Sequence, residues 1–228
     1  IPGQPFNIMK GSVRARDPQG NPIVAADGLY VRSPILGVVG NPNPDYFVTF
    51  INNFSWKGFE LSFQFDYRHG GDIFSSTANA VLGRGTAAAQ DYNQDLTLIL
   101  PGVKNVGTAD APVYVKNDIM ISASDYGFNT LYGAGATTEV GIFDGTTIRL
   151  REISLSYTLP RSILSKTPIK NASIQINGNN LWFNAVNVPK VVNFDTEVSS
   201  QGVDNGAGFD YLTGPSVKRY GAVLRLTF

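Results

Sequence analysis

Alternation of apolar and polar residues along Phe59–Tyr67 constrains the fold more than any other feature of the sequence. The five odd positions of this segment are Phe, Leu, Phe, Phe and Tyr, and the four even positions are Glu, Ser, Gln and Asp. Because side chains of a β-strand point alternately to opposite faces, the pattern predicts a strand with one apolar and one polar face. Nine such residues are also enough for a tilted strand to cross a bilayer.

The last eleven residues of the chain repeat this pattern. Their polar or small positions alternate with an apolar set made of Tyr220, Ala222, Leu224, Leu226 and Phe228. A soluble sheet would bury such a face in a core, whereas an outer-membrane barrel turns it toward lipid and points the polar face into the lumen.

Four further segments are predicted as strands: Phe6–Arg16, Tyr46–Trp56, Thr146–Leu159 and Ala172–Phe183. Lys57-Gly58 joins two of the strands as a hairpin turn. The apolar positions change parity at Arg151-Glu152, which predicts a β-bulge. Asp17–Asn21 has the composition of a turn.

The connections between these six strands alternate between long and short. Two long outer loops are expected at about residues 70–144 and 184–216, with a medium one at 17–45. The short links are Lys57-Gly58 and Pro160–Asn171. Antiparallel strands would put every long connection on one side of a membrane and every short one on the other, as in outer-membrane barrels. The fold class predicted is therefore all-β, a transmembrane antiparallel β-barrel.

Composition excludes several other classes of protein. The 18 basic and 18 acidic residues balance, so charge does not favour nucleic acid as a partner. Cysteine is absent from the sequence, which excludes disulfides and thiolate metal sites. The apolar runs are too short for a transmembrane helix.

Catalytic and metal sites are not predicted. The single histidine, His69, lies in Arg-His-Gly-Gly at the end of a strand, and no nucleophile elbow accompanies it, so the chain is not expected to be an enzyme. Asp91–Asp95 begins like a calcium-binding loop but departs from the EF-hand pattern. Irregular calcium binding by Asp204–Asp210 stays open as an alternative to no cofactor at all.

Aromatic residues in the two long loops are the candidate ligand contacts. Aromatic rings stack on sugar rings or peptide side chains, and tyrosine hydroxyls add hydrogen bonds. The alternative is that these rings pack the loops against each other. The candidates are Tyr92, Tyr126, Phe128, Tyr132 and Tyr211.

Several motifs together resemble the C-terminal part of the SusC/RagA-type TonB-dependent transporters of Bacteroidetes. They occur in the order of that family and cover most of the chain outside the two long loops. One departure is Phe194-Asp-Thr-Glu197, where the family often has a Tyr-Asp-Pro-Glu type segment. The matching segments are Gly40–Asp45, Asn53–Ser62, Phe65–Gly71, Ile148–Pro160, Gly178–Leu181 and Leu224–Phe228.

The resemblance implies more than the residues show. It implies a 22-stranded barrel in the bacterial outer membrane, with residues 1–228 as about its last six strands and the plug domain outside this chain. It also implies three protein partners: a SusD-like surface lipoprotein, TonB and the barrel assembly machinery. The assembly machinery would recognise Tyr220, Leu224, Leu226 and Phe228.

The function expected is TonB-dependent uptake of a glycan or peptide through the outer membrane, as the barrel subunit of a SusCD-type complex. Two alternatives remain at this point. A plugless porin would share the barrel, and a secreted soluble β-sandwich that binds glycans would bury the apolar faces in a core.

Overall fold

The computed structural model describes residues 3–87, 95–132, 136–190, 192, 194–198, 206–214 and 216–228. The chain divides into two compact units. The sheet unit consists of Asp45–His69, Thr146–Val186 and Gly214–Phe228, and the loop unit consists of Ile1–Pro44, Gly70–Gly145 and Asn187–Thr213.

Most regular structure is extended. The strands are β1 (Met9–Gly11), β2 (Ile23–Val24), β3 (Gly37–Gly40), β4 (Pro44–Trp56), β5 (Phe59–Gly70), β6 (Asp72–Ser75), β7 (Thr97–Ile99), β8 (Val103–Asn105), β9 (Tyr114–Lys116), β10 (Met120–Ser122), β11 (Ile142–Asp144), β12 (Thr147–Thr158), β13 (Asn171–Ala185), β14 (Phe209–Asp210) and β15 (Arg219–Thr227). The helices are α1 (Ser76–Gly83), α2 (Ala123–Asp125), α3 (Arg161–Leu164), a π-helix at Tyr126–Tyr132 and a 3-10 helix at Thr138–Gly141.

The sheet unit contains one five-stranded sheet in the order β15-β13-β12-β5-β4. Strand β12 pairs antiparallel with both β5 and β13, and β13 pairs antiparallel with β15. The strands are 9 to 15 residues long, against about 9–11 for a tilted strand that crosses a bilayer. All five are therefore long enough to span a membrane.

The turn between β4 and β5 has the geometry predicted for a tight hairpin. Lys57 and Gly58 both have positive φ, 47° and 89°, as a type I′ turn requires. A Cβ atom at position 58 would lie 2.9 Å from the Thr158 carbonyl oxygen. Glycine is therefore required at position 58 both by the backbone conformation and by the space available.

The predicted bulge is confirmed at Arg151. Leu150 pairs with Phe65 and Glu152 with Gln64, so β12 has one more residue than β5 at this step. The extra residue returns the apolar side chains of β12 to a single face of the sheet. Ile148 and Leu150 before the bulge and Ile153, Leu155 and Tyr157 after it all pair with the odd, apolar positions of β5.

The prediction of a long strand at Phe6–Arg16 was wrong, and the described sheet has five strands rather than six. The strand there is limited to Met9–Gly11, which pairs with β3 inside the loop unit, and Arg14 and Arg16 form only isolated bridges, with Arg32 and Pro22. Asn7 has φ of 64°, which interrupts an extended chain. The face that carries Phe6 and Ile8 is not consistently apolar, because Lys10, Arg14 and Arg16 fall on the same parity.

The segments predicted as aperiodic loops contain regular structure of their own. In its described residues the loop unit has two two-stranded sheets (β1-β3 and β10-β7) and two three-stranded sheets (β11-β6-β14 and β2-β8-β9). Its apolar cluster consists of Val24, Tyr30, Leu100 and Ile121. The predicted turn at Asp17–Asn21 is present, closed by a hydrogen bond from Gly20 N to the Asp17 carbonyl oxygen. These segments thus fold around a small core.

Candidate functional site: the two faces of the sheet and the loop aromatics

The apolar face of the sheet is continuous across all five strands and is exposed. On the central strand β12, Leu155 is 39% exposed, and on β13 Ile176 is 56% exposed. These two residues pair with each other, and they pair in turn with Leu61 on β5 and Ala222 on β15. In a β-sandwich such central positions would be covered by a second sheet. The exposed face contradicts the sandwich alternative and has the character of a lipid-contacting surface.

A second bulge interrupts this face at Gly178–Leu181 in β13. In the sequence this motif indicated only a resemblance to a known family. Asn180 has φ of 52°, and the register steps from Asn179 opposite Glu152 to Trp182 opposite Leu150. A Cβ atom at Gly178 would lie 2.8 Å from a Leu181 methyl carbon. Leu181 therefore covers the glycine on the apolar face, and the bulge depends on both residues.

The opposite face of the sheet is polar and carries an ion pair between Arg151 and Asp66. Arg151 Nε donates to Asp66 Oδ2 at 2.7 Å, and Gln64 Nε2 donates to Asp66 Oδ1 at 2.8 Å. Arg149, the pairing partner of Asp66, is 2% exposed and lies 5.3 Å from the Phe183 ring centroid. The bulge at Arg151 thus adds a cation to this face without displacing an apolar residue. Hydrogen-bonded charges of this kind suit the interior of a barrel.

Aromatic side chains cluster at both ends of the β4–β5 hairpin. At one end Tyr46 stacks on His69 with ring centroids 4.9 Å apart, and the Tyr67 hydroxyl lies 3.2 Å from His69 Nδ1. At the other end the Phe59 and Tyr157 rings are 4.4 Å apart. His69 also lies 3.8 Å from Asp45 Oδ2. These contacts place His69 in an aromatic cluster at the end of its strand, and the two clusters resemble the aromatic girdles of membrane barrels.

The four predicted assembly residues lie at the outer edge of the sheet. Tyr220, Leu224 and Leu226 are exposed on the apolar face of β15, where Leu224 pairs with Ile174. Phe228 follows the strand and is exposed. Their recognition by the assembly machinery stays a prediction.

The five predicted ligand-contact aromatics have different environments. Tyr92 lies outside the described residues, and Tyr132 ends the π-helix. Tyr126 packs against the apolar cluster of the loop unit. Phe128 is 55% exposed. Tyr211 is half exposed and stacks on Phe209, with ring centroids 5.9 Å apart and planes 7° apart. Ligand binding by these residues stays a prediction.

A buried carboxylate that sequence reasoning missed holds two segments of the loop unit together. Asp210 is 3% exposed and accepts hydrogen bonds from Ser75 Oγ at 2.7 Å, Thr213 Oγ1 at 2.6 Å and Thr213 N at 3.1 Å. Ser75 Oγ in turn accepts from Ala78 N as the N-cap of α1. Burial alone would raise the pKa of Asp210, but the bonds from Thr213, Ser75 and Thr77 outweigh burial and lower it. No sequence motif joins Ser75 to Asp210, which are 135 residues apart.

Asp17 shows the same chemistry within one turn. Its carboxylate accepts from Asn21 Nδ2, Asn21 N and Gln19 N. These bonds, led by the one from the Asn21 side chain, lower the pKa of Asp17. The carboxylate therefore closes the turn most effectively when it is ionised.

Among the described residues, no group of three or more His, Asp or Glu side chains is arranged to hold a metal ion. No helix in the described ranges is long and apolar enough to cross a membrane. In the proposed calcium segment, Asp204 and Asn205 lie outside the described residues, so loop calcium stays an untested alternative.

The long strands, the exposed apolar face and the paired polar face together define the class of protein, which is a transmembrane β-barrel of which this chain forms one part of the wall. The prediction of an all-β barrel portion is confirmed at this level.

Comparison with known proteins agrees with that class. No protein-family model matches the chain. The chain is 24% identical over 215 residues to TonB-dependent receptor P3 of Formosa agariphila, covering 93% of this chain and 19% of that receptor. It is 25% identical over 174 residues to TonB-dependent receptor P26 of the same organism, covering 75% of this chain and 15% of that receptor. The chain therefore spans less than a fifth of each relative.

Solved structures show the same fold. A structure of the RagAB peptide transporter matches 97% of this chain and 23% of that chain, with a TM-score of 0.55 and 18% identity. The RagAB peptide importer in its closed-closed state matches the same share of this chain with a TM-score of 0.57 and 20% identity.

These matches confirm the resemblance to SusC/RagA-type TonB-dependent receptors and the outer-membrane location that was predicted. The relatives are receptors and transporters, so the prediction that the chain is not an enzyme is also confirmed.

Proposed function

We propose that the sheet unit is a segment of the barrel wall of a TonB-dependent importer of the bacterial outer membrane. The observation that carries this proposal is the exposed apolar face, which runs unbroken from β4 to β15 on strands that are long enough to span a bilayer. The sequence similarity to two TonB-dependent receptors supports energised uptake over a passive porin.

Chain connectivity supports a sided barrel. The register pairs Thr147 with both Arg68 and Ala185, so β12 begins at the end of the sheet where β5 and β13 finish. The chain before β4, the connection from β5 to β12 and the connection from β13 to β15 all meet the sheet at that end, whereas the two-residue turn after β4 and the link from β12 to β13 lie at the opposite end. Short turns face the periplasm in outer-membrane barrels, so we assign the end of the sheet with the long connections to the extracellular side.

The substrate proposed is a peptide or an oligosaccharide, captured with the help of a SusD-like surface lipoprotein. The exposed ring of Phe128 and the half-exposed ring of Tyr211 offer apolar faces suited to either ligand. The RagAB structures, which are described as a peptide transporter, favour testing peptides first.

Uptake by cells that carry the full-length receptor tests the proposal. Fluorescent peptides and oligosaccharides of matched size should enter in its presence and stop entering when TonB is deleted. Entry that persists without TonB would instead indicate a porin. Recovery of the receptor outside the outer-membrane fraction would overturn the membrane assignment itself, and co-purification of a lipoprotein would test the partner.

A further inference from the structure

A cationic cavity lies at the turn end of the sheet. It has a volume of about 590 Å³ and is lined by Lys57 of the hairpin turn, Arg161 of α3, Lys170 before β13 and the ring of Tyr157. The described residues that line it include three cations and no carboxylate. Lys170 Nζ donates to the Phe228 main-chain oxygen at 3.0 Å, and Lys57 Nζ lies 4.9 Å from the Trp56 ring centroid.

The charge of the two short connections is unbalanced in the sequence as well. The two short connections carry Lys57, Arg161, Lys166 and Lys170, and they contain no Asp or Glu. Lys57, Arg161 and Lys170 are exposed. Three exposed cations around one cavity repel one another, and an anion placed among them would remove that repulsion.

The cavity opens at the edge of the apolar face. Tyr157 lies on that face, paired with Phe59. Trp56, Ile163 and Phe228, each at least 61% exposed, provide apolar anchors at the same end of the sheet unit. Cations beside exposed apolar and aromatic residues are the arrangement that meets the headgroup region of a bilayer.

A groove lies on the apolar face near this cavity. It has a volume of about 480 Å³ and is lined mainly by apolar residues, including Leu61, Leu155, Ile176 and Leu181. Leu155 and Tyr157 are successive residues on the same face of β12, so the groove and the cavity are separated by about 7 Å along the strand. A ligand with an anionic head and an apolar tail would occupy both.

We propose that the cavity and groove together bind one anionic phospholipid, with its phosphate among Lys57, Arg161 and Lys170 and an acyl chain along the groove. The inference rests on the proposed membrane location of the sheet. Inorganic phosphate shares the headgroup chemistry, but it would leave the groove empty. The bound lipid fixes the hairpin turn, α3 and the start of β13 relative to the bilayer surface.

Native mass spectrometry of the full-length receptor in detergent tests this site. Phosphatidylglycerol is added at matched concentration to the wild type and to the triple variant Lys57→Gln, Arg161→Gln, Lys170→Gln. Each cation near an anionic headgroup is worth about 1 kcal/mol, so the triple variant should retain phosphatidylglycerol on the order of 100-fold less strongly.

Two matched variants control for charge and for folding. Lys10→Gln, Lys116→Gln, Lys190→Gln removes three exposed lysines from the loop unit and should bind lipid as the wild type does. Lys57→Arg, Arg161→Lys, Lys170→Arg keeps the charge and should restore retention. Equal retention by the wild type and the glutamine triple variant would overturn the proposal.

Two further arms distinguish the sources of phosphate. Zwitterionic phosphatidylcholine should bind the wild type much more weakly than phosphatidylglycerol. Inorganic phosphate at about 10 mM, a usual buffer concentration, should not displace the lipid, because phosphate has no acyl chain to bury in the groove. Displacement by phosphate, or equal binding of both lipids, would show that no anionic-lipid site exists. A receptor that reaches the outer membrane but fails these tests refutes only the lipid site, whereas a receptor outside the membrane refutes the proposed function as well.

Discussion

The two units of the chain handle apolar side chains in opposite ways. In the sheet unit the central strands carry exposed apolar residues such as Ile176, while the charged side chain of Arg149 is buried. In the loop unit Val24, Leu100 and Ile121 are buried. Burial of apolar area is driven by water, so the loop unit has the arrangement expected of protein folded in water. The sheet unit has the arrangement expected where lipid replaces water on one face.

The units also differ in how their backbone hydrogen-bonding groups are paired. The five strands of the sheet unit form one ladder whose edges are β4 and β15 in the described part of the chain. Where it is described, the loop unit has four sheets of two or three short strands, and side chains such as Ser75 and Asp210 add hydrogen bonds between its segments. A membrane permits only closed hydrogen bonding of its strands, so the sheet unit depends on further strands in a way that the loop unit does not.

The largest effect should follow from removing those further strands. Expressed alone, residues 1–228 should aggregate or fail to insert into detergent micelles, because β4 and β15 would leave unpaired backbone groups along both edges. Size-exclusion chromatography and circular dichroism would measure this. A soluble, monomeric product with one cooperative unfolding transition would show that the sheet unit is not a piece of a barrel.

A pair of neighbouring substitutions on β5 sharpens the difference between the two faces. Phe63→Arg should destabilise the full-length receptor by about 2–4 kcal/mol, because it places a charge on the lipid-facing side of the strand. Gln64→Arg, one residue along and on the polar face, should be tolerated. Urea titration of the receptor in lipid vesicles would compare the two, and equal costs would refute the assigned facing.

Asp210 tests the loop unit. Asp210→Asn should weaken this unit by about 1–3 kcal/mol, because it removes a buried charged acceptor from Ser75 and Thr213. Since folding lowers the pKa of Asp210 below its ordinary value of 3.8, its stabilisation is present above that pH and is lost as the pH falls through the folded value.

Hydrogen exchange at residues 206–213 and in α1 of the full-length receptor would measure this effect at neutral and acidic pH. Asp110→Asn, at an exposed position of the same unit, is the matched control and should change nothing. The same acid sensitivity in wild type and Asp210→Asn would exclude Asp210 as its source.

The smallest effects on stability should come from substitutions of the loop aromatics, and they should distinguish rings that pack in the unit from exposed rings that can contact substrate. Tyr126→Ala should destabilise the loop unit, because Tyr126 packs against its apolar cluster. Phe128→Ala should change stability by less than about 0.5 kcal/mol, because the ring is exposed. If Phe128 contacts substrate, its removal lowers uptake while thermal unfolding stays unchanged. Loss of both together would indicate a packing role instead.

Much of the sheet unit was predictable from the sequence because its signals are local. The period-two alternation of β5 and β15, the two-residue turn at Lys57-Gly58 and the parity change at Arg151 each lie within a dozen residues. Each determined a feature of the fold that the structure confirms. The motifs that resemble SusC/RagA-type receptors additionally predicted the class of receptor.

The loop unit was decided by tertiary structure, because its strands are two to four residues long and their partners are distant. Strand β2 pairs with β8, about 80 residues away, and Ser75 bonds to Asp210 across 135 residues. Strands this short have no detectable periodicity in the sequence. The length of the strand inside Phe6–Arg16 was wrongly predicted for the same reason. The cationic cavity has the same origin: Lys57, Arg161 and Lys170 are more than 100 residues apart at the extremes, and only the register of β5, β12 and β13 brings them to one end of the sheet.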